Sequence, residues 1–161
     1  MDANDLRRAQ PIARSHGGRS RHAERGAVAV EFALILPLLL MLVLGIIEFG
    51  FGYHAWDATQ NAGREGARLG AVSSDQFAII ARAEGTASLL DQNLLDVTIT
   101  CQHATGGPFG TCDGPTDWDE GDIVRVQVDY SYGFITPLPG FVGLGAQMSM
   151  TSVAEARFEG L

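Results

Sequence analysis

The sequence predicts an α+β protein built on a single N-terminal transmembrane helix, and three stretches predict it. Residues 27–47 are apolar apart from Glu31. Residues 48–72 keep helical spacing but change to aromatic and small side chains. After Leu95 the pattern turns to strict alternation, clearest over residues 123–132. A length of 161 residues suits one small folded domain beside the membrane helix, not two. The expected divisions are a leader over 1–26, the transmembrane helix over 27–47, its helical extension over 48–72 and an extracytoplasmic α+β domain over 73–161.

Residues 1–26 contain Pro11, Gly17, Gly18, Ser15 and Ser20 among scattered arginines, with no apolar periodicity, and read as a disordered leader. They hold six arginines against three carboxylates, a net of +3. Residues 48–161 hold five arginines against fifteen carboxylates, a net of −10. Short arginine-rich flanks stay in the cytoplasm, so the leader is expected inside and residues 48–161 outside. Positive-inside sorting also accounts for the arginines better than a nucleic-acid tail does. The apolar run is longer than the ~7–15 residues of a secretory signal. It is therefore read as retained, with any cut on its cytoplasmic side.

At about 1.5 Å of rise per residue, residues 27–47 form a helix of roughly 30 Å, the thickness of the hydrocarbon core. Pro37 removes one backbone hydrogen bond and is expected to kink it. Glu31 is the informative residue. A charge in a membrane helix costs about 2.5 kcal/mol or more at the centre and is functional by default. Its position near the cytoplasmic end also permits a simple interfacial role.

In the extension, Phe49, Tyr53 and Trp56 share one helix face and suit an interfacial aromatic belt. Ala58, Ala62, Gly63, Gly66, Ala67 and Gly70 form a stripe of small residues. Each glycine costs close to 1 kcal/mol in a helix, so Gly63, Gly66 and Gly70 are read as permitting close approach of another helix or of the protein's own sheet, with a frayed helix end as the rival reading. Arg64 and Arg68, one turn apart, mark an exposed or partner-facing edge.

Ser73-Ser74-Asp75 reads as a helix stop and a new N-cap. A second helix is expected over about 76–90, with Phe77, Ile80, Ala81, Ala87 and Leu90 towards the core. Three strands follow. The first has Leu95, Val97, Ile99 and Cys101 on one face. The second has Val124, Val126, Val128 and Tyr130. The last runs over about 147–158 with Met148, Met150, Ser152, Ala154, Ala156 and Phe158. Together they make a small antiparallel sheet packed with the extended helix.

Cys101 and Cys112 are the only cysteines, and outside the cytoplasm they most simply form a disulfide. A metal held by Cys101, His103 and Cys112 lacks a fourth ligand. Asp113, Asp117, Asp119, Glu120 and Asp122 crowd one loop, which reads as solvated, with calcium as the rival reading and no EF-hand register to support it. No metal and no cofactor is expected. The four histidines, at 16, 22, 54 and 103, stand beside no recognisable nucleophile, and no phosphate-binding glycine loop is present. An enzyme is the class least supported.

The string Arg25-Gly26-Ala27-Val28-Ala29-Val30-Glu31-Phe32, with Pro37 and then Gly45-Ile46-Ile47-Glu48-Phe49-Gly50, resembles the TadE-like family of the tight-adherence (Flp) pilus systems. Gln60-Asn61-Ala62-Gly63-Arg64-Glu65-Gly66-Ala67-Arg68 resembles a second block of that family, with Gly63 where alanine is commoner. The likeness is specific over residues 25–72. Glycine, four residues, then Glu-Phe is similar to the cleavage signature of type IV prepilins and pseudopilins. The resemblance implies a pilin-like fold and a pseudopilin acting in pilus assembly, processed after Gly26 by a prepilin peptidase. Gly26, Ala27, Glu31 and Phe32 would then form the processing site, and Glu31 would answer the new amine of Ala27. Implied partners are that peptidase, other pilins or pseudopilins, a secretion ATPase and a membrane platform, all at the bacterial cytoplasmic membrane. The other class the sequence allows is an uncleaved, membrane-anchored binding or adhesin module, in which Glu31 is incidental.

Overall fold

The computed structural model describes residues 18–112, 118–141 and 143–160, with side chains from Arg25 onward. Residues 1–17 of the expected leader, and Asp113 and Asp117 of the acidic loop, lie outside the described residues. The chain divides into two compact units, residues 1–41 and 42–161.

Helix α1 spans Gly18–Gly70 and passes through Pro37. It therefore begins inside the segment expected to be disordered. Ala23, Glu24 and the arginines are good helix formers, and extending an existing helix avoids the cost of nucleation. In the first unit, the side chains of Val28, Val30, Phe32, Leu34, Ile35, Leu38, Leu39 and Leu40 are all exposed. Among the described residues, α1 is the one helix long and apolar enough to cross a membrane, and none of its most apolar window is buried by protein. That fits a single-pass anchor.

The second unit is α+β. Its sheet has the order β1-β2-β3, with β1 at Leu95–Gln102, β2 at Ile123–Gly133 and β3 at Gln147–Arg157. Both pairings are antiparallel, with Val97 opposite Val128 and Val128 opposite Ser152. As the central strand, β2 alternates strictly between buried and half-buried positions, and Val124, Val126 and Val128 are fully buried. On β3 the expected inner face holds at Met150, Ser152 and Phe158, which are buried, but Met148 at its start is exposed.

Helix α2 spans Gln76–Thr86, and Asp75 caps it by accepting hydrogen bonds from the amides of Phe77 and Ala78. It ends four residues before the expected Leu90. Ala87 and Leu90, just beyond it, are buried as expected, but the phase within the helix differs. The buried line is Ile79, Ala83, Ala87 and Leu90, while Phe77 is 86% exposed and Ala81 is exposed. Two apolar stripes were open to this helix, and small Ala83 allows closer approach to α1 than bulky Phe77 would. Asp91 caps a single 3₁₀ turn, Gln92–Leu94, which leads into β1.

Candidate functional site

Gly26, Ala27, Glu31 and Phe32 all lie on α1 and are exposed. A Cβ added at Gly26 would meet no atom within 4 Å. Among the described residues, Glu31 forms no hydrogen bond or ion pair. The carboxylate is thus left open to a group from outside the described structure.

The small residues of α1 turn towards the sheet and α2. Ala55, Thr59, Ala62 and Ala67 are buried, and the Thr59 hydroxyl is satisfied by donating to the Ala55 carbonyl at 2.8 Å. A Cβ on Gly66 would stand 3.0 Å from Val126 Cγ1 and 3.3 Å from Ala83 Cβ. One on Gly70 would stand 3.0 Å from Val124 Cγ1 and 3.5 Å from Ile79 Cδ1. One on Gly63 would lie 2.7 Å from Ser152 Oγ, a single hydroxyl that rotation can move. These three glycines therefore bring α1 down onto β2, β3 and α2 of its own chain. Arg64 and Arg68 remain exposed. Arg64 donates to Asn61, and Arg68 pairs with Glu65, which also receives Arg82 of α2.

Glu48 carries a buried carboxylate with three hydrogen bonds, and its place in the sequence suggests no partner for it. It follows the apolar run directly, yet it is buried. Tyr132 Oη donates to Oε1 at 2.8 Å, the Ile135 amide donates to Oε1 at 3.1 Å, and the Thr136 amide donates to Oε2 at 2.7 Å. The Thr136 hydroxyl is buried against the same carboxylate, without a hydrogen bond of good geometry. Burial pushes the Glu48 carboxyl up. The donors of Thr136, Tyr132 and Ile135 outweigh it and hold the pKa at about 2. The sequence signal for it is a carboxylate bordering a membrane run, the same signal that Glu31 carries.

Cys101 and Cys112 form a disulfide, and Cys101 also makes a two-way backbone bridge with Gly110. Gln76 of α2 donates to the Cys112 carbonyl. Asp122, one member of the acidic loop, is buried and accepts from the amides of Ala104 (2.9 Å) and Asp119 (3.1 Å) and faces His103 Nδ1 at 3.2 Å. Burial raises its pKa, but these amides and His103 bring it below the usual carboxylate value. The carboxylate is thus occupied by protein donors that close the loop. His103 turns to Asp122, not to the sulfurs. Among the described residues, no three metal-binding side chains cluster.

Residues 26–68 match the family model for TadE-like protein. That segment of the chain is TadE-like. At the level of the family, the match supports a pseudopilin associated with the Tad (Flp) pilus, a component not known as an enzyme. No curated protein and no solved structure matches the chain. The TadE-like segment lies wholly within α1, from Gly26 past Glu31, Glu48 and Gly66 to Arg68. The sheet, α2 and the disulfide lie outside the matched residues.

Proposed function

We propose that the chain is a TadE-like pseudopilin that takes part in assembly of a Flp-type pilus after a prepilin peptidase removes residues 1–26. The observation that carries this reading is Glu31, unpaired and exposed among apolar neighbours, one turn beyond the Gly26–Ala27 bond where the family match begins. Cleavage gives Ala27 a protonated amine. Amine and carboxylate then neutralise each other, on one chain or between neighbouring chains, which removes the cost of holding either alone in lipid. Gly26 also lowers the cost of unwinding α1 at this bond for a protease, since glycine costs about 1 kcal/mol in a helix.

In this reading the anchor sits in the bacterial cytoplasmic membrane with residues 1–26 inside and the α+β unit outside. The partners are the peptidase, other pilins or pseudopilins, the secretion ATPase and the membrane platform. The glycine stripe lies against the chain's own sheet, so helix packing between subunits falls to the exposed apolar part of α1. The deciding experiment is the N-terminal sequence of the protein from membranes of cells with and without their prepilin peptidase. A chain beginning at Ala27 only when the peptidase is present supports the proposal. A chain uncut in both favours an anchored binding module and leaves Glu31 without this role.

A further inference from the structure

The loop between β2 and β3 is unusually apolar for an exposed connection. The sequence has no charged residue between Asp129 and Glu155. Within the loop, Ile135 is 60%, Phe141 79% and Leu144 59% exposed. Singly, exposed apolar side chains need no explanation, but three in one short connection do.

The loop's position on α1 supplies one. The Ile135 and Thr136 amides bind Glu48, and Leu138 Cδ2 lies 3.6 Å from where a Cβ on Gly45 would be. Gly45 belongs to the apolar run that ends at Ile47, so the loop is fixed at the level where that run stops, within roughly 3–5 Å along the helix axis. At the same level α1 exposes Phe49 and Tyr53, whose rings stack with centroids 6.3 Å apart, and Trp56 follows one turn on. The one carboxylate here, Glu48, turns inward and has its oxygens filled by protein donors. What faces outward at the end of the run is therefore mainly apolar or aromatic, with His54 and Asp57 exposed further along α1.

We infer that the β2–β3 loop rests in the membrane interface, with Ile135, Phe141 and Leu144 inserted among lipid chains beside the exit of α1. The occupant is the bilayer because the surface is continuous with the membrane-spanning run and lacks the charges that a polar partner would engage. Anchored at both the helix and the loop, the α+β unit is held at the membrane surface at a fixed height. The inference rests on the single-pass reading of residues 27–47, but not on cleavage or pilus assembly.

The test is depth measurement by nitroxide labels on the full chain in phosphatidylethanolamine–phosphatidylglycerol vesicles. The described structure has no free cysteine, so one introduced cysteine takes the label. Labels are placed separately by Phe141→Cys, Leu144→Cys, Leu39→Cys in the apolar run and Leu89→Cys, an exposed control on the connection after α2. Labels at 141 and 144 should resemble 39, with several-fold lower access to a water-soluble nickel relaxant and higher access to oxygen than 89. If 39 is lipid-shielded while 141 and 144 match 89, the loop inference fails and the span stands. If 39 also matches 89, the span itself fails and the inference with it. Shielding at 141 that vanishes on dilution in lipid, together with loss of spin–spin broadening, would assign the face to a second copy and overturn the inference.

Discussion

The Tyr132 hydroxyl donates to Glu48 Oε1 at 2.8 Å, joining the central strand to the first residue after the apolar run. The carboxylate raises the Tyr132 phenol in return, with burial the larger cause, to about 12. Two backbone amides complete the contact, so a charge bordering a membrane run is held by three donors of one chain. Replacing Glu48 by alanine strands these buried donors. We expect a loss of about 2–3 kcal/mol, the scale of hydrogen bonds to a charged group, read as a lower midpoint in thermal unfolding of the full chain in detergent micelles. Tyr132→Phe should cost less, about 1 kcal/mol, because both amides keep their acceptor. Equal stability of Glu48→Ala and the parent would show that the network contributes nothing.

Acid should loosen the same unit. The folded pKa values of Glu48 and Asp122 are both lowered, so each binds fewer protons folded than unfolded. Their contribution is fully present above the unfolded carboxylate value of about 4. It is lost as pH falls through the folded values, about 2 for Glu48. Stability should therefore drop between about pH 4 and pH 2. Glu48→Gln should flatten part of that slope and Asp122→Asn another part. An unchanged slope in both variants would place the acid sensitivity elsewhere.

The glycines should separate by contact. Gly66→Val should destabilise by about 1–3 kcal/mol, because even a Cβ stands 3.0 Å from Val126 and 3.3 Å from Ala83. Gly85→Ala on α2 meets nothing within 4 Å and should stabilise by about 0.5–1 kcal/mol through helix propensity alone. Thermal midpoints moving in the same direction for the two would contradict the packing account.

Removing the disulfide by Cys101→Ser with Cys112→Ser should cost about 3 kcal/mol in the chain-entropy model. The loss should leave helical circular dichroism largely intact, since the bridge closes part of the β1–β2 connection and meets α2 at its first residue, Gln76. Loss of the helical signal itself would mean that the loop organises more than its own connection.

For the proposed pseudopilin, Gly26→Ala and Glu31→Gln should part company. The first should slow cleavage and leave full-length chain in the membrane. The second should leave the amine of Ala27 without its counter-charge, so that processed chain accumulates while pili are lost. Normal pili in cells carrying Glu31→Gln would remove the charge-pairing role.

The sequence by itself determined the membrane run, because a stretch that long and apolar has one stable solution in lipid. It determined β2, where alternating valines admit a single register of faces, and the cap at Asp75, which is local chemistry. It also marked Gly26 and Glu31 through a pattern of adjacent residues. Only the tertiary structure decided the phase of α2, since choosing between Phe77 and Ile79 depends on how near α1 can come. It likewise decided that the glycine stripe faces the chain's own sheet, and that Glu48 meets Tyr132, Ile135 and Thr136. The partners of Glu48 lie more than eighty positions away, and no local pattern records a contact that exists only after α1 has docked on β2.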